Sequence, residues 1–198
     1  ERYLLPLSHD EVVHGKATIL QKMFREYEMK FPHARAFYMY MYAHPGKKLN
    51  FMGNEIGHFR EWDETREQDW GLLEYPAHQE FYCFMKALNR FYLAHPSFWE
   101  NDYDEAGFRW LECGAEDQCV YAFERKAEKE RIAAVFNFSG AEQTGLRLTV
   151  SGAEKLKEIF SSGNKISAKE EDIERTGSEN SIFELELAPF SAVYYLIG

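Results

Sequence analysis

No apolar run in this sequence approaches the roughly 20 residues that cross a bilayer, and no secretory-type apolar stretch follows a basic start. Cysteine is scarce: Cys83, Cys113 and Cys119 are an odd and scattered set. They form neither a disulfide framework nor a metal-ligand spacing, so reduced thiols and a cytoplasmic location are expected. Basic residues are outnumbered, 23 Lys and Arg against 33 Asp and Glu, a net charge of −10. That balance excludes nucleic acid and anionic membrane as partners, since both demand clustered Lys and Arg; an uncharged ligand makes no such demand. Internal repeats are not evident, and there is no initiator Met. Glu1-Arg2-Tyr3 run straight into a strand, as a cut inside a domain would leave them.

What is present is concentrated near the start, in Tyr3-Leu4-Leu5-Pro6-Leu7-Ser8-His9-Asp10-Glu11-Val12-Val13-His14-Gly15-Lys16. A short apolar run, rich enough for a buried strand, stops and hands over to a hydroxyl, an imidazole and two carboxylates. Barrels and sheets deliver polar groups to a cleft in this way, with the strand fixing position and its C-terminal end carrying the chemistry. From the residues alone the cluster reads equally as polar surface on a solvated loop. A zinc helix is excluded by spacing. That motif needs two His at i and i+4 with Glu directly after the first, whereas His9 and His14 are five apart and Asp10 holds the Glu position. No metal and no cofactor is expected.

Along the chain, 17–23 reads as a short helix, and Phe31-Pro32 marks a new start. Residues 33–44 fit a strand by period two or a buried helix by being apolar on all sides. Residues 49–52 read as a short strand with Gly53-Asn54-Glu55 at its end, where Glu55 is more simply a structural carboxylate than a catalytic one. The loop 57–70 mixes Arg60, Glu61, Trp62, Asp63, Asp69 and Trp70. A Trp beside carboxylates is either a sugar platform or a loop anchor. From Pro76, the apolar residues Phe81, Phe84, Met85, Leu88, Phe91 and Tyr92 recur at helical steps on one face, with Pro96 beyond the end.

A boundary is placed at 98–105, where the pattern changes to strands at 108–111, 119–125, 132–138, 146–150, 156–160, 182–187 and 193–197. Phe183-Glu184-Leu185-Glu186-Leu187 alternates, so one face packs and the other meets water. Ile132-Ala133-Ala134-Val135-Phe136 is continuous, as a strand covered on both sides would be. Short strands with turn residues between them make an antiparallel sandwich. Residues 161–181, rich in Ser, Gly, Lys and Glu, read as a mobile loop.

Three blocks in order carry a resemblance. Leu5-Pro6-Leu7-Ser8-His9-Asp10-Glu11-Val12-Val13-His14-Gly15-Lys16 resembles the fourth signature region of the alpha-amylase superfamily, in the form worn by bacterial 1,4-alpha-glucan branching enzymes. Pro45-Gly46-Lys47-Lys48-Leu49-Asn50-Phe51-Met52-Gly53-Asn54-Glu55 resembles their last barrel strand. Arg60-Glu61-Trp62, followed by Asp69-Trp70-Gly71-Leu72-Leu73, resembles the loop after it. Apart from these blocks, Leu187-Ala188-Pro189-Phe190-Ser191-Ala192-Val193-Tyr194-Tyr195 resembles the last hairpin of the superfamily's C-terminal β-domain.

The resemblance implies an α/β plus all-β chain: the C-terminal end of a (β/α)8 TIM barrel over 1–104, with helix 33–44 between barrel strands seven and eight, then an antiparallel β-sandwich over 105–198. It implies a transglycosidase that cleaves α-1,4-glucan and rebuilds it as α-1,6 branches in glycogen. Asp10 would be the third carboxylate, a transition-state stabiliser, and His9 a donor to the same sugar; His9, Asp10 and Trp70 would bind the α-glucan. The nucleophile and general acid/base that retaining glycosidases need belong to two earlier signatures that this sequence lacks, so the chain alone is expected to be inactive. The alternatives are a non-catalytic glucan-binding module, a fragment of an amylase or debranching hydrolase, or an inert fragment that self-associates.

Overall fold

The segment from Tyr27 to Ala43 has no single apolar stripe, and burial settles the ambiguity of its pattern. In the computed structural model, which describes residues 4, 6–24, 26–163, 173–176 and 180–198, it is a 17-residue helix. A short helix α1 (Ile19–Lys22) precedes this α2 (Tyr27–Ala43). Thr18 starts α1 with a reciprocal cap, its hydroxyl accepting from Gln21 N while the Gln21 side chain accepts from Thr18 N. Pro32 lies inside α2, not at its start as the sequence suggested. It costs the bond to the carbonyl four residues back, and the burial of Phe31, Ala34, Ala36, Tyr38 and Met39 around it carries the helix through. Helix α3 (Pro76–Ala94) begins on a proline at its first turn and buries His78, Phe81, Met85 and Leu88, the stripe expected from the sequence.

Before α2, Leu7 forms a parallel bridge with Asn50, through Leu7 N to Leu49 O at 3.1 Å and Phe51 N to Leu7 O at 2.9 Å. The expected strand 49–52 is therefore a single bridge rather than a ladder. Tyr3 and Leu5, at the start of the other expected strand, lie outside the described residues. What remains is a parallel pairing joined through α2, followed by α3.

The second half is two antiparallel sheets. One has five strands in the order β1-β2-β3-β8-β5, the other three in the order β4-β7-β6. Their ranges are β1 (Phe108–Glu112), β2 (Val120–Lys126), β3 (Arg131–Asn137), β4 (Gln143–Ser151), β5 (Leu156–Ser161), β6 (Ile173–Thr176), β7 (Asn180–Leu187) and β8 (Ser191–Ile197). Successive residues of a strand point to opposite faces, and the five-stranded sheet uses both. Ile132, Ala134 and Phe136 of β3, with Ala192 and Tyr194 of β8, join the core that holds α2 and α3. Ala133 and Val135, with Val193 and Tyr195, join the core between the two sheets, against Leu148, Phe183 and Leu185. The unbroken apolar run of β3 is thus explained by cover on both sides. Strand β6 pairs with β7 inside the stretch read as a mobile loop; most of that stretch lies outside the described residues.

Three histidines are expected to make the fold acid-sensitive. His33 and His58 each accept a backbone N–H, from Phe24 at 3.1 Å and Asp69 at 3.0 Å, a role a protonated ring cannot fill. Burial holds His33, His44 and His58 below the ordinary histidine value. The unfolded chain takes up these protons near pH 6.5 and the folded one resists them. Their contribution is therefore complete above about pH 6.5 and declines as pH falls through the depressed folded values. Thermal midpoints are expected to drop between pH 7.5 and 5.5; a flat or rising profile would contradict this assignment.

Candidate functional site

Ser8 ends the apolar run and opens a 3-10 turn, His9–Glu11, by accepting Asp10 N on its hydroxyl at 3.2 Å. The cap presents His9 and Asp10 side by side, with His9 Nε2 3.4 Å from Asp10 Oδ1. Asp10 is 67% exposed and His9 50%, so both are open to a ligand. Lysines fasten the turn from behind: Lys16 Nζ donates to Asp10 O at 2.7 Å, and Lys22 Nζ to Glu11 O.

The loop 57–70 supplies the opposite wall. Its ends are tied by Arg60, whose guanidinium meets the Asp69 carboxylate at 2.9 and 3.1 Å, and by His58, which accepts Asp69 N. The Arg60 bonds hold the Asp69 carboxyl below its ordinary range. Gly53 makes room where the chain enters. Its φ is +91°, and a Cβ there would stand 2.7 Å from Gln68 Oε1 and 3.1 Å from His58 Nδ1, which only glycine avoids. So tied, the loop brings Trp62 to the turn. Trp62 N donates to Val12 O at 2.9 Å, and its ring meets His9 edge-on at 5.7 Å and Phe51 at 5.3 Å. Glu61 accepts the N–H groups of Gly15 at 2.9 Å and Ala17 at 2.7 Å.

His9, Val13, His14, Glu61 and Trp62 thereby line an open cleft of about 690 Å³ together with Arg60, Asp63, Glu64 and Arg66. Asp10 lies beside His9 and is not itself among the lining residues. Trp70, half-exposed on the 3-10 turn Trp70–Glu74, is also outside that lining, and the ring against His9 is Trp62. Glu55 lies on the turn Asn54–Ile56, near enough to Tyr38, Tyr42 and His58 to bear on their titration. The role of Glu61 and the pairing of Trp62 with His9 escaped the sequence reading, although both residues stand in a block it singled out; their partners at the turn are 44 to 53 positions away.

A second cleft of about 680 Å³ lies on the sheets around Arg109, Glu124 and Arg131. Its charged groups are largely spent on one another. Glu124 takes Arg109 and Arg131 at 2.6 Å each, and Arg131 also bonds Ser151 O at 2.8 Å. The turn at His9 keeps an open carboxylate and an open imidazole side by side, with an aromatic ring against the imidazole, at the edge of its cleft. Among the described residues no group of three His, Cys, Asp or Glu is arranged to hold a metal ion, and no helix is long and apolar enough to cross a membrane.

Comparison with known proteins places the chain among relatives by sequence and by fold. Residues 110–198 match the family described as alpha amylase, C-terminal all-beta domain. The chain is 46% identical over 164 residues to the 1,4-alpha-glucan branching enzyme GlgB of Oceanobacillus iheyensis, covering 82% of this chain and 26% of that protein. It is 38% identical to the enzyme of the same name from Aquifex aeolicus, covering 98% of this chain and 32% of that protein. A debranching enzyme from Nostoc punctiforme has the same fold over 87% of this chain and 33% of its own, at a TM-score of 0.63 and 16% identity. The chain spans a quarter to a third of the length of the relatives it matches. By sequence it is a homologue of bacterial 1,4-alpha-glucan branching enzymes, and its residues 110–198 belong to the alpha amylase C-terminal all-beta domain family.

Proposed function

We propose that this chain is the C-terminal portion of a branching enzyme that cleaves α-1,4-glucan and passes the freed chain to a 6-hydroxyl of another glucose unit. The observation that carries this is the pairing of His9 and Asp10 on a capped turn beside a cleft, in a chain whose relatives bear that enzyme's name. Residues 1–104 are the end of a parallel (β/α)8 barrel and 105–198 the β-sandwich that follows. A single parallel bridge crossed by a helix supports this. So does the exposure of the apolar Leu4, Leu49 and Met52 near it, which further barrel strands would cover.

In the assembled enzyme the reaction is a double displacement through a covalent glycosyl intermediate, with nucleophile and general acid/base supplied by the remainder of the barrel. Asp10 acts as neither. Its carboxylate accepts hydrogen bonds from hydroxyls of the ring at the point of cleavage, in bonds that tighten as positive character builds at the anomeric carbon. His9 donates to the same ring and is itself oriented by Asp10 and Trp62. Trp70 offers an open aromatic face for a neighbouring glucose.

The full-length enzyme containing this chain is expected to convert amylose into glucan with new α-1,6 linkages, read as a loss of iodine colour and a gain of short chains on enzymatic debranching. The 198-residue chain alone is expected to do neither. New reducing ends without α-1,6 linkages would make the parent a hydrolase, and branching by the chain alone would overturn the division of catalytic groups proposed here.

A further inference from the structure

The chain from Val12 to Ala17 is folded in a way its sequence does not ask for. His14, Gly15 and Ala17 all have left-handed backbone, with φ of 59°, 78° and 66°, and only Gly15 adopts it freely. The consequence is that two N–H groups, those of Gly15 and Ala17, converge on one point. That point is occupied by the Glu61 carboxylate, Oε2 taking Gly15 N at 2.9 Å and Oε1 taking Ala17 N at 2.7 Å. Such a pair of converging backbone donors is an anion-binding nest, and here the anion is part of the chain.

The next residue continues the attachment. Trp62 N donates to Val12 O, and its ring meets His9. Within the folded segment, Lys16 reaches back from between the two donors to Asp10 O. A displacement of 14–17 is therefore passed to the backbone of Asp10 through Lys16 and to His9 through Trp62. The strut itself is braced, because Arg60 on its other flank is fixed to Asp69.

We infer that Glu61 is a positioning residue for the glucan-binding turn, its carboxylate being the internal anion that fixes the loop holding His9 and Asp10 in place. The inference rests on the function proposed above. The two backbone N–H bonds also hold the Glu61 carboxyl below its ordinary range, so the strut stays charged at neutral pH. Glu61 touches no reacting atom; it acts through the loop.

Two measurements test it. In the 198-residue chain, Glu61→Gln keeps the size but replaces one acceptor by a donor, and exchange of the Gly15 and Ala17 amide protons is expected to quicken at least about tenfold. Unchanged exchange would overturn the inference without any reference to catalysis. In the full-length enzyme, Glu61→Ala is expected to lower kcat by about 10- to 100-fold, the scale of a small misplacement, with KM within about threefold. Formate, a carboxylate small enough to enter the vacated nest, is expected to restore turnover several-fold, and to restore none in Glu61→Ala combined with Asp10→Asn. A fall in kcat that formate does not relieve would make Glu61 merely a fold-stabilising residue. Should Asp10→Asn abolish turnover while Glu61→Ala leaves it intact, only this inference fails; should Asp10→Asn leave turnover intact, the reading of the site fails with it.

Discussion

Replacement of Arg125 by Met is expected to destabilise the chain by about 3–5 kcal/mol, the cost of leaving a buried charge without its partner. At 2–4 °C per kcal/mol for a chain of this size, the thermal midpoint should fall by roughly 6–20 °C. Arg125 is fully buried on β2 and makes three attachments to three parts of the molecule. Its Nε donates to Gly107 O at 3.1 Å, one terminal nitrogen to Ala43 O at the end of α2, and the other to Asp102 at 2.7 Å. Helical layer, connecting segment and sheet meet at this one guanidinium. Asp102 depends on it: its Oδ1 is the oxygen bonded to Arg125, while Oδ2 is buried with no hydrogen-bond partner among the described residues. Removing the cation thus leaves a buried carboxylate without its partner. Changing Asp102 to Leu in the same chain should recover a large part of the loss, but not all. The carbonyls of Ala43 and Gly107 remain, each unpaired buried group costing about 1–3 kcal/mol. A midpoint shift under about 2 °C for Arg125→Met, or no recovery in the double variant, would show that the attachment does not hold the layers together.

Nothing in the sequence marks Arg125 for this place. It stands near the end of an apolar strand in Val120-Tyr121-Ala122-Phe123-Glu124-Arg125-Lys126, one of three charges in a row with nothing local to single it out. Its partners lie 18, 23 and 82 positions away, beyond the reach of any local pattern. Glu61 is hidden for the same reason, since its meaning comes from two N–H groups more than 40 residues upstream. What could be read was what periodicity dictates. The apolar stripe of α3 between Pro76 and Pro96, the two-sided burial of β3 and the alternation of β7 each follow from side-chain spacing within one element. Pro32 misled because a proline is more often met at a helix start than in its second turn, and tertiary burial overrode that preference. β6 went unseen because 161–181 offers few apolar residues, and its pairing with β7 rests on backbone bonds that composition does not reveal.

The assignment of the site stands on charge, not only on shape. The most direct measurement is turnover of amylose by the full-length enzyme carrying Asp10→Asn, which preserves the size of the side chain and its cap to Ser8 while removing the negative charge. If the carboxylate stabilises developing positive charge on the sugar ring, kcat should fall by at least about 100-fold, some 2.7 kcal/mol of barrier, with the thermal midpoint unchanged and glucan affinity little altered. A fall of less than about tenfold, or about 1.4 kcal/mol, in a variant that folds normally would contradict the role given to Asp10, and with it the glucan chemistry assigned to this turn.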